Sequence, residues 1–173
     1  MKFICNKDTI LSVVQTTSKA AAGKSSIQAL EGILMELEGN TLTVTGYDLD
    51  IGIKTSIEVE GIESGNIVIS AKMAVDIIRK MPSGSITFEC SGNNLAEITN
   101  NMTSFSVSCS SADDYPNVPQ VNPDTSFTMP QKLLKSMIIQ TKFAVAVVDS
   151  KPALMGCKFE LENNVLSVAA VDG

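Results

Sequence analysis

Histidine is absent from the 173-residue sequence, and neither a GxxxxGKS/T nor a GxGxxG phosphate-binding loop is present. Histidine is the side chain that most often transfers protons near neutral pH. Its absence excludes Ser-His-Asp and Cys-His nucleophile systems built within this chain. Enzymatic activity is therefore disfavoured, and only catalysis by carboxylates alone remains open.

Long apolar runs and closely spaced cysteines are also lacking. No apolar run approaches the ~20 residues that cross a bilayer, and the N-terminus becomes polar too early for a signal peptide. We therefore expect a cytoplasmic protein without a membrane partner. The cysteines at positions 5, 90, 109 and 157 form no CxxC pair. We expect four reduced, mostly buried thiols and no metal or other cofactor.

The composition is that of an acidic globular protein. Hydrophobic residues make up 44% and charged residues 18%, and the formal net charge is −6. The net charge alone argues against nucleic-acid binding. Binding depends, however, on where the basic residues lie rather than on their sum.

Alternation of apolar and polar residues predicts that most of the chain forms strands. The runs at 32–38 and 41–45 flank Gly39-Asn40, which is typical of a β-hairpin. Five more strands are expected at 51–59, 67–69, 85–90, 95–99 and 104–109. With a strand near the N-terminus, the chain up to about residue 110 would contain roughly eight strands.

Two segments of this region have helical spacing instead. In 7–19 the apolar residues follow Asp8, whose carboxylate favours the start of a helix. In 71–81, Ser70 is the expected N-cap, Met73 belongs to the apolar face and Pro82 ends the helix. Strand, helix and three strands therefore occur twice, which predicts an α+β fold.

A proline-rich segment separates this region from a second one. Residues 119–126 have linker composition. After them, 127–129 is expected to start a strand and 130–142 to form a helix.

A repeat appears when the chain is shifted by 124 residues. Aligned without gaps, 3–49 and 127–173 share identical residues along their whole length, most densely where Ala29-Leu30-x-Gly32 meets Ala153-Leu154-x-Gly156. Alternation alone would not align the glycines as well, so we infer a duplicated domain. The first domain is expected at 1–118 and the start of a second, truncated one at 127–173. The second copy would leave strand edges unpaired and a thin core, so we expect the chain to be a fragment.

Several distinctive stretches resemble one family, the bacterial DNA polymerase III beta subunit or beta sliding clamp. They include Met1-Lys2-Phe3, Leu42-x-Val44-Thr45-Gly46-x-Asp48-Leu49, Ser70-Ala71-Lys72, Asp113-Asp114-Tyr115-Pro116-Asn117, Phe127-Thr128-Met129-Pro130 and Val171-Asp172-Gly173. The resemblance covers the whole chain. It implies the DNA-clamp fold, with helices on the inner face and antiparallel sheets outside, and three similar domains, the third of which is absent here.

The same resemblance implies a function and partners. A clamp is a non-catalytic processivity factor. Two subunits close head-to-tail around double-stranded DNA, and the ring tethers the replicative DNA polymerase after a clamp loader has opened it. Such a protein would be cytoplasmic and associated with the nucleoid during replication.

A sliding ring needs cations that hold phosphates without specifying sequence. Helical spacing places Lys132, Lys135 and Lys142 on one stripe, and Lys72 and Arg79 on another beside Lys80, although an ordinary solvated helix face would look the same. The resemblance implies DNA contacts by Lys24 and Lys72, and places Lys151 near DNA. In the loop of Lys151, however, Val148, Pro152 and Ala153 replace the family's polar or aromatic contacts.

Phe105 and Val107 lie on the strand that, by the same resemblance, would be an edge strand pairing with the partner subunit. They could equally be core residues.

Two other functions stay open: a small α+β adaptor that binds peptides along a sheet edge, and a hydrolase that uses Asp48 and Asp50 or Asp113 and Asp114. Turn and capping roles suit these acid pairs better.

The resemblance also generates a prediction about partner binding. The family's partner-binding cleft lies between its second and third domains and begins just after the Asp172-Gly173 turn. We therefore expect the 173-residue chain not to bind short hydrophobic clamp-binding peptides. A peptide titration with saturable binding at micromolar concentration would contradict this expectation.

Overall fold

The structure, a computed structural model, describes residues 1–92, 94–120, 126–148 and 151–172. The chain divides into two compact units, Met1–Gln120 and Val121–Gly173. Within the described ranges no helix is long and apolar enough to span a membrane. Residues 121–125 of the expected linker lie outside the described residues.

The first unit contains nine antiparallel strands among its described residues. They are β1 (Lys2–Asn6), β2 (Gly32–Glu38), β3 (Thr41–Tyr47), β4 (Gly52–Glu58), β5 (Glu60–Glu63), β6 (Gly65–Ser70), β7 (Ser85–Cys90), β8 (Leu95–Thr99) and β9 (Ser104–Ser110). The sequence predicted eight of them within a few residues. The short strand β5 was missed, because its four residues contain one apolar side chain, Ile62, and give no alternation.

Helices α1 (Lys7–Thr17) and α2 (Ala71–Lys80) lie where the spacing predicted them. The side-chain oxygen of Asn6 accepts hydrogen bonds from the backbone N–H groups of Asp8 and Thr9, so Asn6 is the N-cap of α1. Ser70 caps α2 in the same way through the N–H of Met73. The assignment of Met73 to the apolar face was wrong: its side chain is exposed, because it lies just outside the stripe formed by Ala71, Ala74, Val75 and Ile78.

The strand order is β4-β3-β2-β6-β9-β8-β7-β1-β5. Strands β4 and β5 are therefore at opposite ends of the order, yet only Val59 separates them in the chain. The sheet must curl until its two ends meet. Asn40, in the β2–β3 turn, fixes the junction, because its carbonyl oxygen accepts from Val59 N and its side-chain oxygen accepts from Gly61 N.

The curled sheet packs around α1 and α2, which contact each other and the strands beside them. The core residues come from both helices and from alternate positions of the strands, among them Phe3, Ile10, Val14, Met35, Ile78 and Phe88. The rings of Phe3 and Phe88 stack with their centroids 5.1 Å apart. All four cysteines are free thiols; Cys5 and Cys109 are buried, whereas Cys90 and Cys157 are only half-buried.

Gly46 allows α1 to approach the sheet closely. It lies in β3, and a Cβ atom at this position would overlap the backbone carbonyl oxygen of Thr17, the last residue of α1. Thr17 is held in place because its hydroxyl donates to the carbonyl oxygens of Val13 and Val14. A backbone carbonyl cannot move aside as a flexible side chain can.

Tyr115 anchors the last segment of the first unit. Its ring packs in a second, smaller cluster with Leu30, Tyr47 and Val68. Its hydroxyl donates a 3.3 Å hydrogen bond to the carbonyl oxygen of Thr45 in β3. Burial raises the pKa of Tyr115 to about 12.

The second unit contains helix α3 (Gln131–Thr141) and the antiparallel hairpin of β10 (Lys158–Glu162) and β11 (Val165–Ala169). The strand predicted at 127–129 is wrong, because residues 126–130 form no regular element. The equivalent strand β1 pairs with β5 and β7, and their counterparts, 124 positions later, would fall beyond residue 173. A strand without a partner leaves its backbone groups to solvent.

The sequence repeat recurs as a structural repeat. Helices α1 and α3 have the same length and begin 124 residues apart. The hydrogen bond from Ala22 N to Leu30 O is 2.8 Å long, and its counterpart from Ala146 N to Leu154 O is 3.0 Å. Thr141, like Thr17, donates to the carbonyl oxygens three and four residues earlier. The duplication therefore extends to the helix end, the loop and the hairpin.

We predict that Gly46→Ala destabilises the first unit by roughly 2–3 kcal/mol, because the new Cβ forces the Thr17 carbonyl and α1 away from the sheet. Gly23→Ala is the matched control, since open space surrounds a Cβ there, and it should stay within about 0.5 kcal/mol of the parent. Urea unfolding of both variants measures the difference. Equal midpoints would contradict the role of Gly46.

A second prediction concerns stability at high pH. The fold holds the pKa of Tyr115 above its usual value, so it favours the neutral phenol. This contribution is fully present below pH ~10 and is lost as the pH rises through about 12. Tyr115→Phe should cost about 1 kcal/mol near pH 7 through the lost hydrogen bond.

Between pH 10 and 11.5 the parent should lose stability more steeply than Tyr115→Phe, since phenylalanine does not ionise. Urea midpoints at several pH values measure both slopes. All other side chains are common to both proteins, so their own pH responses cancel in the difference. Parallel pH profiles would show that ionisation of Tyr115 is not coupled to folding.

Candidate nucleic-acid interface

Lys24 lies in a structured loop between α1 and β2. The loop is closed by the hydrogen bond from Ala22 N to Leu30 O. The carboxylate of Glu31 accepts from Ser25 N at 3.2 Å, and the Ser25 hydroxyl accepts from Ile27 N at 3.1 Å. The side chain of Lys24, within this loop, is exposed. A fixed loop with a solvent-facing ammonium suits a phosphate contact.

Lys72 and Arg79 lie at opposite ends of α2, and both side chains are exposed. The stripe that they form is not purely basic. Asp76 lies between them, and its carboxylate is 3.6 Å from the Arg79 guanidinium. An exposed pair of this kind is weak and screened by salt, so Arg79 keeps most of its capacity to bind phosphate.

A cavity of about 1020 Å³ connects the loop with the start of α2. Gly23, beside Lys24, lines it from the loop, and Ser70 and Lys72 line it from the helix. The structure thus brings the surroundings of Lys24 and Lys72 together. Three acids, Glu31, Asp76 and Asp114, also line this cavity, so its interior does not favour an anion.

The first unit also exposes a cation that the sequence interpretation passed over. Lys19 lies in the short 3-10 turn of Ser18–Ala20 directly after α1. Its neighbours Ser18 and Ala21 line the same cavity. Its position five residues before Lys24 was visible in the sequence, but the segment was interpreted as the end of a helix.

In the second unit, α3 carries Lys132 and Lys135, and Lys142 follows in the 3-10 turn of Lys142–Ala144. All three side chains are exposed. Lys151 is also exposed and precedes the 3-10 turn of Pro152–Met155, where its carbonyl oxygen accepts from Leu154 N. In the repeat, the position equivalent to Lys24 is Val148, an apolar residue that is 87% exposed.

Phe105 and Val107 lie on β9, which is not the outermost strand of the sheet. It lies between β6 and β8 in the order, which corrects the expectation of an edge strand. Strand β6 pairs with β9 only at Ser110 and Cys109, however, so the segment 104–108 is paired on one side alone, with β8. Val107 is buried in the core, whereas Phe105 is only partly buried against it.

The acid pairs serve local structure. A side-chain oxygen of Asp48 accepts from the backbone N–H groups of Asp50 and Ile51, which forms a turn. Asp113 accepts from the hydroxyl of Ser111, which also caps the short turn that follows. Among the described residues no group of His, Cys, Asp or Glu side chains could hold a metal ion.

Known proteins resemble both the sequence and the fold. Residues 1–119 match the family described as the DNA polymerase III beta subunit, N-terminal domain. The beta sliding clamp of Halalkalibacterium halodurans is 33% identical over 180 residues, which cover 99% of this chain and 47% of the relative. That of Bacillus subtilis is 32% identical, with 99% and 48% covered.

Solved structures agree with this similarity. The DNA polymerase sliding clamp from Bacillus subtilis superposes with a TM-score of 0.88 at 31% identity, over 99% of this chain and 47% of that one. The DNA polymerase III subunit beta from Pseudomonas aeruginosa gives a TM-score of 0.91 at 25% identity, over 100% and 47%. The chain thus spans about half the length of the relatives it matches. On the evidence of its sequence and fold, the chain belongs to the family of the bacterial DNA polymerase III beta subunit, the beta sliding clamps.

Proposed function

We propose that this chain acts as the N-terminal part of a sliding clamp, which encircles duplex DNA and tethers the replicative DNA polymerase without sequence specificity. The observation that carries the proposal is that a member of this family exposes basic side chains in both of its units. In the first unit these are Lys24, in the loop after α1, and Lys72 and Arg79 on α2. In the second they are Lys135 and Lys142, with Lys151 in the loop after them.

The chemistry of these residues suits sliding rather than sequence recognition. Exposed ammonium groups attract phosphates through a long-range, salt-dependent interaction, whereas sequence recognition needs groups fitted to base edges. The whole chain has a net charge of −6, so the surface away from these basic residues is acidic, would repel DNA and would limit binding to these faces.

The proposal includes a non-catalytic role in the cytoplasm, at the nucleoid during replication. The acid pairs that left carboxylate catalysis open are engaged in turns. We propose domain one at 1–118, a linker at 119–126 and the start of domain two at 127–173. Polymerase and clamp loader are proposed partners of the complete clamp.

The proposed second subunit would join head-to-tail along β9. Segment 104–108 offers backbone N–H and C=O groups on the side that β6 leaves unpaired. Phe105, which is only partly buried, supplies apolar surface beside that edge. Val107 is buried in the core, so we assign it a supporting position behind the interface rather than a direct contact.

We predict that Lys24→Glu/Lys72→Glu weakens the binding of duplex DNA at low salt by roughly tenfold or more. Each lost phosphate contact should also reduce the slope of log K against log salt by about 0.9. Fluorescence anisotropy with duplexes of unrelated sequence, at several salt concentrations, measures both quantities. The parent should bind all duplexes equally.

The matched control is Lys54→Glu, which changes charge in the same way at an exposed position in β4 away from α2. The single variant Lys72→Glu is measured beside it. If Lys54→Glu weakened DNA binding as much as Lys72→Glu does, the result would show that only net charge matters. Binding that prefers one sequence, or that does not respond to salt, would contradict the proposed function.

A further inference from the structure

Two thiols that the proposed interface does not use lie side by side at one corner of the first unit. The Sγ atoms of Cys90 and Cys109 are 3.2 Å apart, although the two residues are separated by 19 positions in sequence. Cys90 ends β7, and Cys109 is the last residue but one of β9. Strand β8 lies between these strands, but its pairing with β9 stops at Leu95 and Ser108, so the thiols meet just past its end.

Backbone hydrogen bonds hold both cysteines in place. Cys90 N donates to the carbonyl oxygen of Met1 at 2.9 Å, and the ammonium group of Met1 donates to Cys90 O at 3.1 Å. Cys109 N donates to Asn94 O at 2.9 Å, and Cys109 also pairs with Ile69 of β6. The two sulfurs therefore lie close together on two strands that backbone hydrogen bonds hold in place. The sulfurs need to approach by only about 1.2 Å to reach the ~2.05 Å of a disulfide bond.

The two thiols differ in their access to solvent. Cys109 is buried, and burial, reinforced by its contact with Cys90, raises its pKa to about 12. Cys90 is half-buried and is therefore the more exposed residue of the two. The thiolate is the reactive form and needs access to the reagent, so Cys90 is the sulfur that meets an oxidant first and Cys109 the one that resolves the product.

We propose that Cys90 and Cys109 form a modification site for hydroperoxides, which convert the pair from dithiol to disulfide. The Cys90 sulfur attacks one peroxide oxygen, the O–O bond breaks, and Cys90 becomes a sulfenic acid while the other oxygen leaves as water (or as an alcohol from an organic hydroperoxide). The Cys109 sulfur then attacks the Cys90 sulfur, the S–O bond breaks and a second water leaves. The thiols lose two electrons and two protons in total, and the peroxide takes up all of these electrons and protons.

The disulfide would tie β7 to β9 across the end of β8. It restricts the unfolded chain by closing a loop of about 19 residues, so the oxidised protein should be more stable than the reduced one. The proposal rests on this geometry alone and is independent of DNA binding.

The test treats the 173-residue chain with a small excess of hydrogen peroxide at neutral pH. The intact mass should fall by about 2 Da, the mass of the two hydrogens lost, and dithiothreitol should restore it. The melting temperature should rise by roughly 5 °C or more on oxidation.

Peptide mapping identifies the linked residues in the parent protein itself. Trypsin cannot separate the two cysteines, because no Lys or Arg lies between Lys80 and Lys132. A protease that cleaves after glutamate, used together with trypsin, releases Cys90 on peptide 90–97 and Cys109 on peptide 98–132, with Cys157 on a separate peptide. These two fragments should be found joined in the oxidised sample and separate after reduction.

Matched variants complete the test. Cys109→Ser should leave a sulfenic acid on Cys90 that reacts with dimedone, and Cys90→Ser should lose the 2 Da change. The double variant Cys5→Ser/Cys157→Ser should oxidise like the parent. A link through Cys5 or Cys157, or oxidation of the thiols to separate sulfinic acids without a linked fragment, would overturn the proposal.

Discussion

The burial of α1 and α2 inside the curled sheet is the interaction on which the rest of the first unit depends. Ile10, Val14, Ala74 and Ile78 are almost wholly removed from solvent, and each large apolar side chain buried in this way contributes about 1.5–3 kcal/mol. The loop of Lys24 and the first turn of α2 are attached to this core, so the lysines need no contacts of their own to stay in position. The exposed lysines are thus separate from the residues that stabilise the core.

The second unit repeats part of the local geometry of the first with far less apolar burial. The hydrogen bond that closes its loop and the hydroxyl bonds of Thr141 match those of the first unit. Helix α3 nevertheless has no buried residue, and Phe127 is 53% exposed where its counterpart Phe3 is fully buried. The two units therefore differ chiefly in apolar burial, which supplies most of the stabilisation of helices in folded proteins.

The sequence predicted the helices and most strands because alternation and helical spacing depend on which side chains face the core. It also predicted the clamp family from stretches such as Asp113–Asn117, and the duplication from identities at fixed spacing. It could not predict β5, the exposure of Met73 or the loss of the strand at 127–129. Each of these depends on whether a partner strand or helix lies opposite, and a local pattern does not contain that information. For the same reason the DNA-facing role of individual lysines stays a proposal, whereas their exposure is a structural fact.

The junction at Val59 has a consequence for how the first unit opens. An ordinary sheet can fray from its outer strands, which have a neighbour on one side only. Here the two outermost strands are joined through one buried residue and tied to the Asn40 turn, so pulling either strand away strains the other. Amide hydrogens of β4 and β5 should therefore exchange with solvent together rather than as two independent edges. The curled sheet should open as one cooperative unit.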